Sequence, residues 1–226
     1  MGNSVIKLAS YIDHTLLKPT CTHIEIEKIC KEASAYGFAA VCIPPPFVTV
    51  AVATGVKVAT VIGFPFGYST VKAKLAEVEQ AIEDRADELD IVINLIALKE
   101  GNWALLEEEM TVLTDRAHAA HQLVKVIIES GVLTDEEVIR CCGVYARVGV
   151  DFLKTSTGYA EKGATVAAVK LMRQHLPEGI RIKASGGIRD AVFARELIAA
   201  GAQRLGCSAG VKIVREEEGN GGADFY

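Results

Sequence analysis

Eight short apolar runs, separated from one another by helical or loop segments, constrain this chain more than any other feature of it. They fall at residues 12–17, 39–43, 56–62, 88–94, 123–129, 150–154, 180–185 and 204–208. Lys18-Pro19-Thr20 closes the first and Pro44-Pro45-Pro46 the second, and proline cannot continue a central strand ladder. The intervening segments carry helical signals. Over residues 22–36, Ile24, Ile26, Ile29, Cys30 and Ala33 form an apolar stripe, with Thr22 and Glu25 spaced as a capping box and Gly37 as the stop. A short helix is expected over 47–54. A longer one, capped by Ser69 or Thr70 and running to Arg85, places Val71, Leu75, Val78 and Ile82 on its buried side. Further helices fall at 103–121, 134–149, 163–175 and 191–200.

Near-continuous apolar strands alternating with helices read as a wholly parallel sheet under a helical cover. Eight such repeats in a chain of 226 residues predict one closed (β/α)₈ TIM barrel over residues 1–215. An open, doubly wound sheet would bind a nucleotide at a glycine-rich first turn, and no GxGxxG follows any of these strands. Residues 216–226, Glu-Glu-Glu-Gly-Asn-Gly-Gly-Ala-Asp-Phe-Tyr, lack periodicity and read as a flexible tail with an aromatic tip.

A net charge of -5 and the absence of a basic cluster give no electrostatic footprint for nucleic acid. No stretch reaches the roughly 20 apolar residues of a membrane span, and the first ten residues lack a signal-peptide core, so a cytoplasmic protein is expected. The six cysteines form no CxxC pair and show no zinc spacing; they read as free, buried thiols, and no metal site is expected. Cys42, inside an apolar run, is a candidate for lining a pocket, against the plainer reading of a small buried hydrophobe.

The chemistry centres on Lys154. It ends the apolar run at 150–154 and is followed by Thr155-Ser156-Thr157-Gly158, and 29 positions later Lys183 repeats the plan before Ala184-Ser185-Gly186-Gly187. Lysine is seldom buried unless something pairs with it or uses it, although a single lysine can lay its stem along a strand and reach water. Strand alternation sends Lys154 inward together with Phe152 and Val150, and sends Leu153 and Asp151 toward the helices. Lys154 and Lys183 then stand on neighbouring strands roughly 5 Å apart. Mutual repulsion and lost hydration pull one amine toward neutrality, and a neutral lysine amine forms Schiff bases. Asp90 supplies a carboxylate that orders the pair and moves protons, and Asp13 and Lys125 also lie in strand runs that converge on the same mouth. Small-residue turns follow the last three strands and carry Gly158, Gly186, Gly187, Arg189, Gly206 and Ser208. Turns in that position are where barrels of this type hold a phosphate, against backbone N–H groups.

Ile12-Asp13-His14-Thr15-Leu16-Leu17, residues 88–94 around Asp90, residues 124–129 around Lys125, residues 152–158 and residues 182–189 together resemble the deoxyribose-phosphate aldolase family, over about residues 10–214. The resemblance implies a class I aldolase, without metal or other cofactor, that reversibly cleaves 2-deoxy-D-ribose 5-phosphate to D-glyceraldehyde 3-phosphate and acetaldehyde. It implies Lys154 as the Schiff-base lysine, Lys183 as the neighbour that lowers its pKa, Asp90 as the proton carrier and Asp13 as support. The phosphate is expected at Gly158, Gly186, Gly187, Arg189, Gly206 and Ser208, with Lys125 and Cys42 as further substrate contacts. Tyr226 resembles a C-terminal tyrosine of some members whose tail reaches the active site, and a homodimer is expected from the family. Two positions depart from the pattern: Ile96 stands where glycine is common, beside the Asp90 turn, and Ala209 where some members have a second serine. Two other readings keep the barrel, an aldolase acting on a keto-sugar phosphate and a silent phosphate-binding scaffold. The scaffold has no use for two repelling lysines.

Overall fold

A computed structural model describes residues 7–220. Its strands are Ile12–Thr15 (β1), Ala40–Ile43 (β2), Val58–Ile62 (β3), Glu88–Val92 (β4), Leu123–Ile127 (β5), Phe152–Lys154 (β6), Arg181–Ser185 (β7) and Arg204–Cys207 (β8). Each pairs in parallel with the next, and β8 pairs with β1 through Asp13 opposite Gly206, which closes the barrel. The apolar runs outlast the strands at their C-terminal ends. Leu16-Leu17, Ile93-Asn94 and Ile128-Glu129 therefore become the first residues of the mouth loops.

The helices are His23–Tyr36 (α1), Val48–Val52 (α2), Val71–Glu83 (α3), Leu95–Lys99 (α4), Trp103–His118 (α5), Asp135–Val148 (α6), Val166–His175 (α7), Ala191–Ala199 (α8) and Gly210–Asn220 (α9). Local chemistry sets their ends. Thr22 and Glu25 close a full capping box on α1, and Gly37 stops it in the left-handed region at φ 69°. Thr134 with Glu137 and then Gly149 do the same for α6. Thr70 caps α3, and the Asn94 and Asn102 side chains cap α4 and α5; each such cap is worth about 1 kcal/mol. The inner helix faces and the outward strand residues form one continuous apolar shell around the barrel.

Several elements differ from the sequence expectation. Ile24 is 78% exposed, because the stripe of α1 is centred on Ile26, Ile29, Cys30 and Ala33. Val150 precedes β6 and packs in the outer shell, while Phe152 and Lys154 face inward. Ile96 does not disturb the turn after Asp90: it lies on α4, 60% exposed, on a helix started by Asn94. Residues 216–220 belong to α9 rather than to a flexible tail. Glu216 accepts from the Ala191 N–H at 3.1 Å, and Glu217 accepts from the Leu8 N–H at 3.1 Å and from Arg195 at 2.6 Å. These acidic side chains tie the helix to its neighbours, which composition alone does not reveal. Tyr226 lies outside the described residues, and with it the expectation of an aromatic tip over the mouth.

The buried face of α3 is Lys74, Val78 and Ala81, with Leu75 and Ile82 only partly covered at its edges. Lys74 is fully buried; its Nζ donates to Glu109 of α5 at 3.0 Å and to the Val92 carbonyl at the end of β4 at 2.8 Å. Burial pushes the Lys74 amine down and the Glu109 carboxyl up, and each group opposes the shift of the other. Lys74→Met strands the carboxylate and is expected to cost about 3–5 kcal/mol in urea unfolding, and adding Glu109→Leu should restore most of it. A single variant as stable as wild type would show that the pair contributes nothing.

Candidate active site

The barrel interior is charged where a barrel is usually packed with aliphatic layers. Asp13 comes from β1, Glu88 and Asp90 from β4, Lys125 from β5, Lys154 from β6, Lys183 from β7 and Arg204 from β8. All are buried or nearly so and all join one network. Asp90 is its hub. One carboxylate oxygen accepts from Lys154 and Lys183, each at 2.7 Å, and the other accepts from Lys125 at 2.7 Å. Lys183 also lies 2.5 Å from Asp13, Lys125 lies 2.6 Å from Glu88, and Arg204 reaches Asp13 at 2.6 Å and Glu88 at 3.3 Å. Lys154 and Lys183 are register partners across β6 and β7.

This network holds four cations, Lys125, Lys154, Lys183 and Arg204, against three carboxylates, Asp13, Glu88 and Asp90. Uncompensated charge is costly in a water-poor interior, so a neutral amine at one lysine balances the set. The surroundings select Lys154. Burial lowers the pKa of Lys154, Asp90 opposes that shift, and the Lys183 ammonium adds to it. Lys183 is equally buried, but Asp13 and Asp90 outweigh burial and keep it charged; Asp90 does the same for Lys125. Burial alone would raise both aspartates. Lys183, Lys125 and Arg204 instead hold Asp13 down to about 2, and the three lysines hold Asp90 well below the usual range.

A cavity of about 340 Å³ opens above Lys154. Its walls include Gly158, Gly186, Gly187, Arg189, Gly206 and Ser208, so one cavity gathers every turn residue expected from the sequence. Gly186 and Gly187 adopt φ of 88° and 80°, where other L residues are strained. Gly186 also packs backbone to backbone on Gly163: a Cβ on Gly163 would stand 2.3 Å from the Gly186 oxygen. The turns after β6 and β7 thereby form one thin wall.

Two expected contacts are placed elsewhere. Lys125 is two residues deeper in the register than Lys154, fully buried between Asp90 and Glu88, away from the phosphate turns. Cys42 packs inside the barrel on Ala59 and Val61, its Sγ 3.8 Å from Asp90, and burial pushes its thiol up. Sequence reasoning missed Glu88 and Arg204. Their signal is alternation, since Glu88 is two residues before Asp90 on the same strand face and Arg204 two before Gly206. Among the described residues, no group of three or more His, Cys, Asp or Glu is arranged to hold a metal. No helix among them is long and apolar enough to cross a membrane.

A parallel (β/α)₈ barrel with a carboxylate-paired lysine of lowered pKa beneath a small-residue pocket is built for carbonyl chemistry through an imine. Known proteins agree with that class. A model of the DeoC/LacD family aldolases matches residues 7–216. A deoxyribose-phosphate aldolase of Thermoanaerobacter sp. (strain X514) is 48% identical over 216 residues, covering 93% of this chain and 97% of that one. Another, of Streptococcus gordonii, is 48% identical over 220 residues, covering 96% and 99%. Among solved structures, an aldolase called QR15 matches with a TM-score of 0.92 at 37% identity, over 96% of this chain and 98% of its own. The tetrameric deoxyribose phosphate aldolase of Aeropyrum pernix matches with a TM-score of 0.87 at 34% identity, over 93% and 91%. The chain belongs to the DeoC/LacD family of aldolases.

Proposed function

We propose that this enzyme is a class I deoxyribose-phosphate aldolase, cleaving 2-deoxy-D-ribose 5-phosphate reversibly to D-glyceraldehyde 3-phosphate and acetaldehyde. The observation that carries the reading is Lys154 itself, an amine with lowered pKa held 2.7 Å from Asp90 on the floor of the glycine-walled cavity.

The neutral Lys154 amine adds to the C1 aldehyde of the open-chain sugar, and Asp90 relays protons as the carbinolamine loses water to give the iminium. The C3 hydroxyl then gives up its proton to the Asp90 relay as the C2–C3 bond breaks. Its electron pair passes into the iminium, leaving an enamine on Lys154 and releasing glyceraldehyde 3-phosphate. Protonation of the enamine carbon and hydrolysis return acetaldehyde and the free amine. Lys183 stays charged and keeps Lys154 ready for the next turnover. The phosphate rests on the turns carrying Gly158, Gly186, Gly187, Gly206 and Ser208, with Arg189 at their edge.

Incubation with deoxyribose 5-phosphate should release equimolar acetaldehyde and glyceraldehyde 3-phosphate, and the reverse reaction should accept acetaldehyde as donor. Turnover of keto-sugar phosphates without use of acetaldehyde would overturn the assignment. The assignment of Tyr226 as the enamine's proton donor rests on the sequence. Tyr226→Phe should slow proton exchange at the acetaldehyde methyl group by roughly 10²-fold while imine formation continues, and unchanged exchange would dismiss it. We assign the reaction to the cytoplasm and the working unit to a homodimer. Light scattering decides the latter, since the Aeropyrum pernix relative is a tetramer.

A further inference from the structure

The wall of the pocket above Lys154 is held by a residue that the chemistry does not use. Glu129 follows β5, is 3% exposed, and is one of only a few non-glycine residues among those described with a left-handed backbone, at φ 54°. Its carboxylate points at the turn after β6. The Thr157 N–H donates to it at 3.2 Å, and the Thr157 hydroxyl donates to the same oxygen in a short bond. That hydroxyl in turn accepts from the Tyr159 N–H at 3.0 Å. Tyr159 then crosses the mouth: its hydroxyl donates to the Leu17 carbonyl at 2.7 Å, and its ring meets Phe64 edge-on at 5.4 Å. Thr157, Tyr159 and Leu17 all line the cavity that Lys154 floors.

The chain of contacts runs in one direction, from a fixed, buried acceptor to an exposed aromatic wall. A glycine, Gly158 at φ 88°, separates Thr157 from Tyr159, so the backbone of this turn has little stiffness of its own. Two hydrogen bonds to one buried carboxyl group supply the missing rigidity; burial pushes the Glu129 carboxyl up, the two Thr157 bonds favour its ionised form, and the acceptor cannot turn to water. A second tie, the Ser130 N–H to the Thr155 carbonyl at 2.7 Å, fixes the start of the same turn. We infer that Glu129 is a positioning residue for the substrate pocket, holding through Thr157 the turn that presents Tyr159 as the wall against the sugar-phosphate chain.

This inference rests on the proposed sugar-phosphate substrate, and it separates two things that the active site does. Imine formation needs Lys154, Lys183 and Asp90, none of which bonds to Glu129. Holding a five-carbon phosphorylated chain needs the wall, whereas acetaldehyde is too small to touch it. Loss of the brace should therefore appear in KM for the sugar phosphate and not in imine formation with acetaldehyde.

The test compares Glu129→Ala, Glu129→Gln, Thr157→Val and the Glu129→Ala/Thr157→Val double variant, with thermal unfolding measured alongside. Glu129→Ala and Thr157→Val should each raise KM for deoxyribose 5-phosphate roughly ten- to a hundredfold with kcat nearly unchanged, the loss expected of a charge-assisted bond. The double variant should be no worse than Glu129→Ala alone, since both act through the same contact. Glu129→Gln keeps an acceptor oxygen for Thr157 and should recover most of the affinity. In every variant, borohydride trapping of acetaldehyde on Lys154 should proceed at the wild-type rate. If Glu129→Ala does not fold, Glu129→Gln and Thr157→Val still carry the comparison. Additive losses, an equal fall in kcat and trapping, or an unchanged KM would overturn the inference. A wild-type enzyme that traps acetaldehyde but does not cleave deoxyribose 5-phosphate would instead overturn the substrate assignment.

Discussion

Asp90→Asn should nearly abolish turnover and destabilise the barrel together. Asparagine keeps the shape but removes the charge to which three lysine amines are tied at 2.7 Å. Breaking a buried ionic set by removing one partner costs about 3–5 kcal/mol, because the remaining charges stay desolvated and unpaired. The same change removes the proton carrier beside Lys154, a role worth roughly 10²–10⁴-fold in rate. The activity loss should persist at alkaline pH, where every lysine is easier to deprotonate, since no basic group takes the place of the carboxylate. Urea unfolding and a pH–rate profile measure the two effects. A stable variant, or one rescued by high pH, would show that Asp90 is neither the electrostatic hub nor the proton carrier.

Lys183→Leu should behave differently. Lys183 is the cation nearest Lys154 in the register, and it contributes with burial to the lowered pKa there. Without it, Asp90 acts on Lys154 unopposed by that neighbour and stabilises the charged amine, so the Lys154 pKa rises. Below its pKa the neutral fraction of an amine falls about tenfold for each unit that the pH drops, so the raised pKa lowers activity most at neutral pH. The sign is definite: activity should climb about tenfold per pH unit on going alkaline and meet the wild-type curve near the new pKa. A loss that is flat with pH would make Lys183 a structural or substrate-binding residue.

The barrel was legible because its strands are covered on both faces and read as apolar runs, while capping residues such as Thr22 and Thr134 mark the helix starts. Lys154 and Lys183 were legible as a pair because equal placement at two strand ends survives small errors in strand boundaries. Depth was harder. Alternation says that Lys125 faces inward, but only the register, Lys125 opposite Asp90 and Lys154 opposite Ile127, shows that it lies a layer below the pocket. Lys74 was hidden for a different reason. The stripe Lys74, Val78, Ala81 has helical spacing, yet a lysine at its head is ordinarily assigned to solvent, and its partner Glu109 is 35 positions away. Glu129 carries no local signal, because its meaning depends on a turn that only the barrel brings beside it.

Reductive trapping addresses the division of labour among the lysines most directly. The enzyme is incubated with acetaldehyde, reduced with borohydride, digested and mapped by mass spectrometry. The burial and pairing pattern lowers the pKa of Lys154 and raises those of Lys183 and Lys125, so the ethyl adduct should fall on Lys154. An adduct on Lys183 or Lys125 would contradict that division and with it the roles assigned to the whole network.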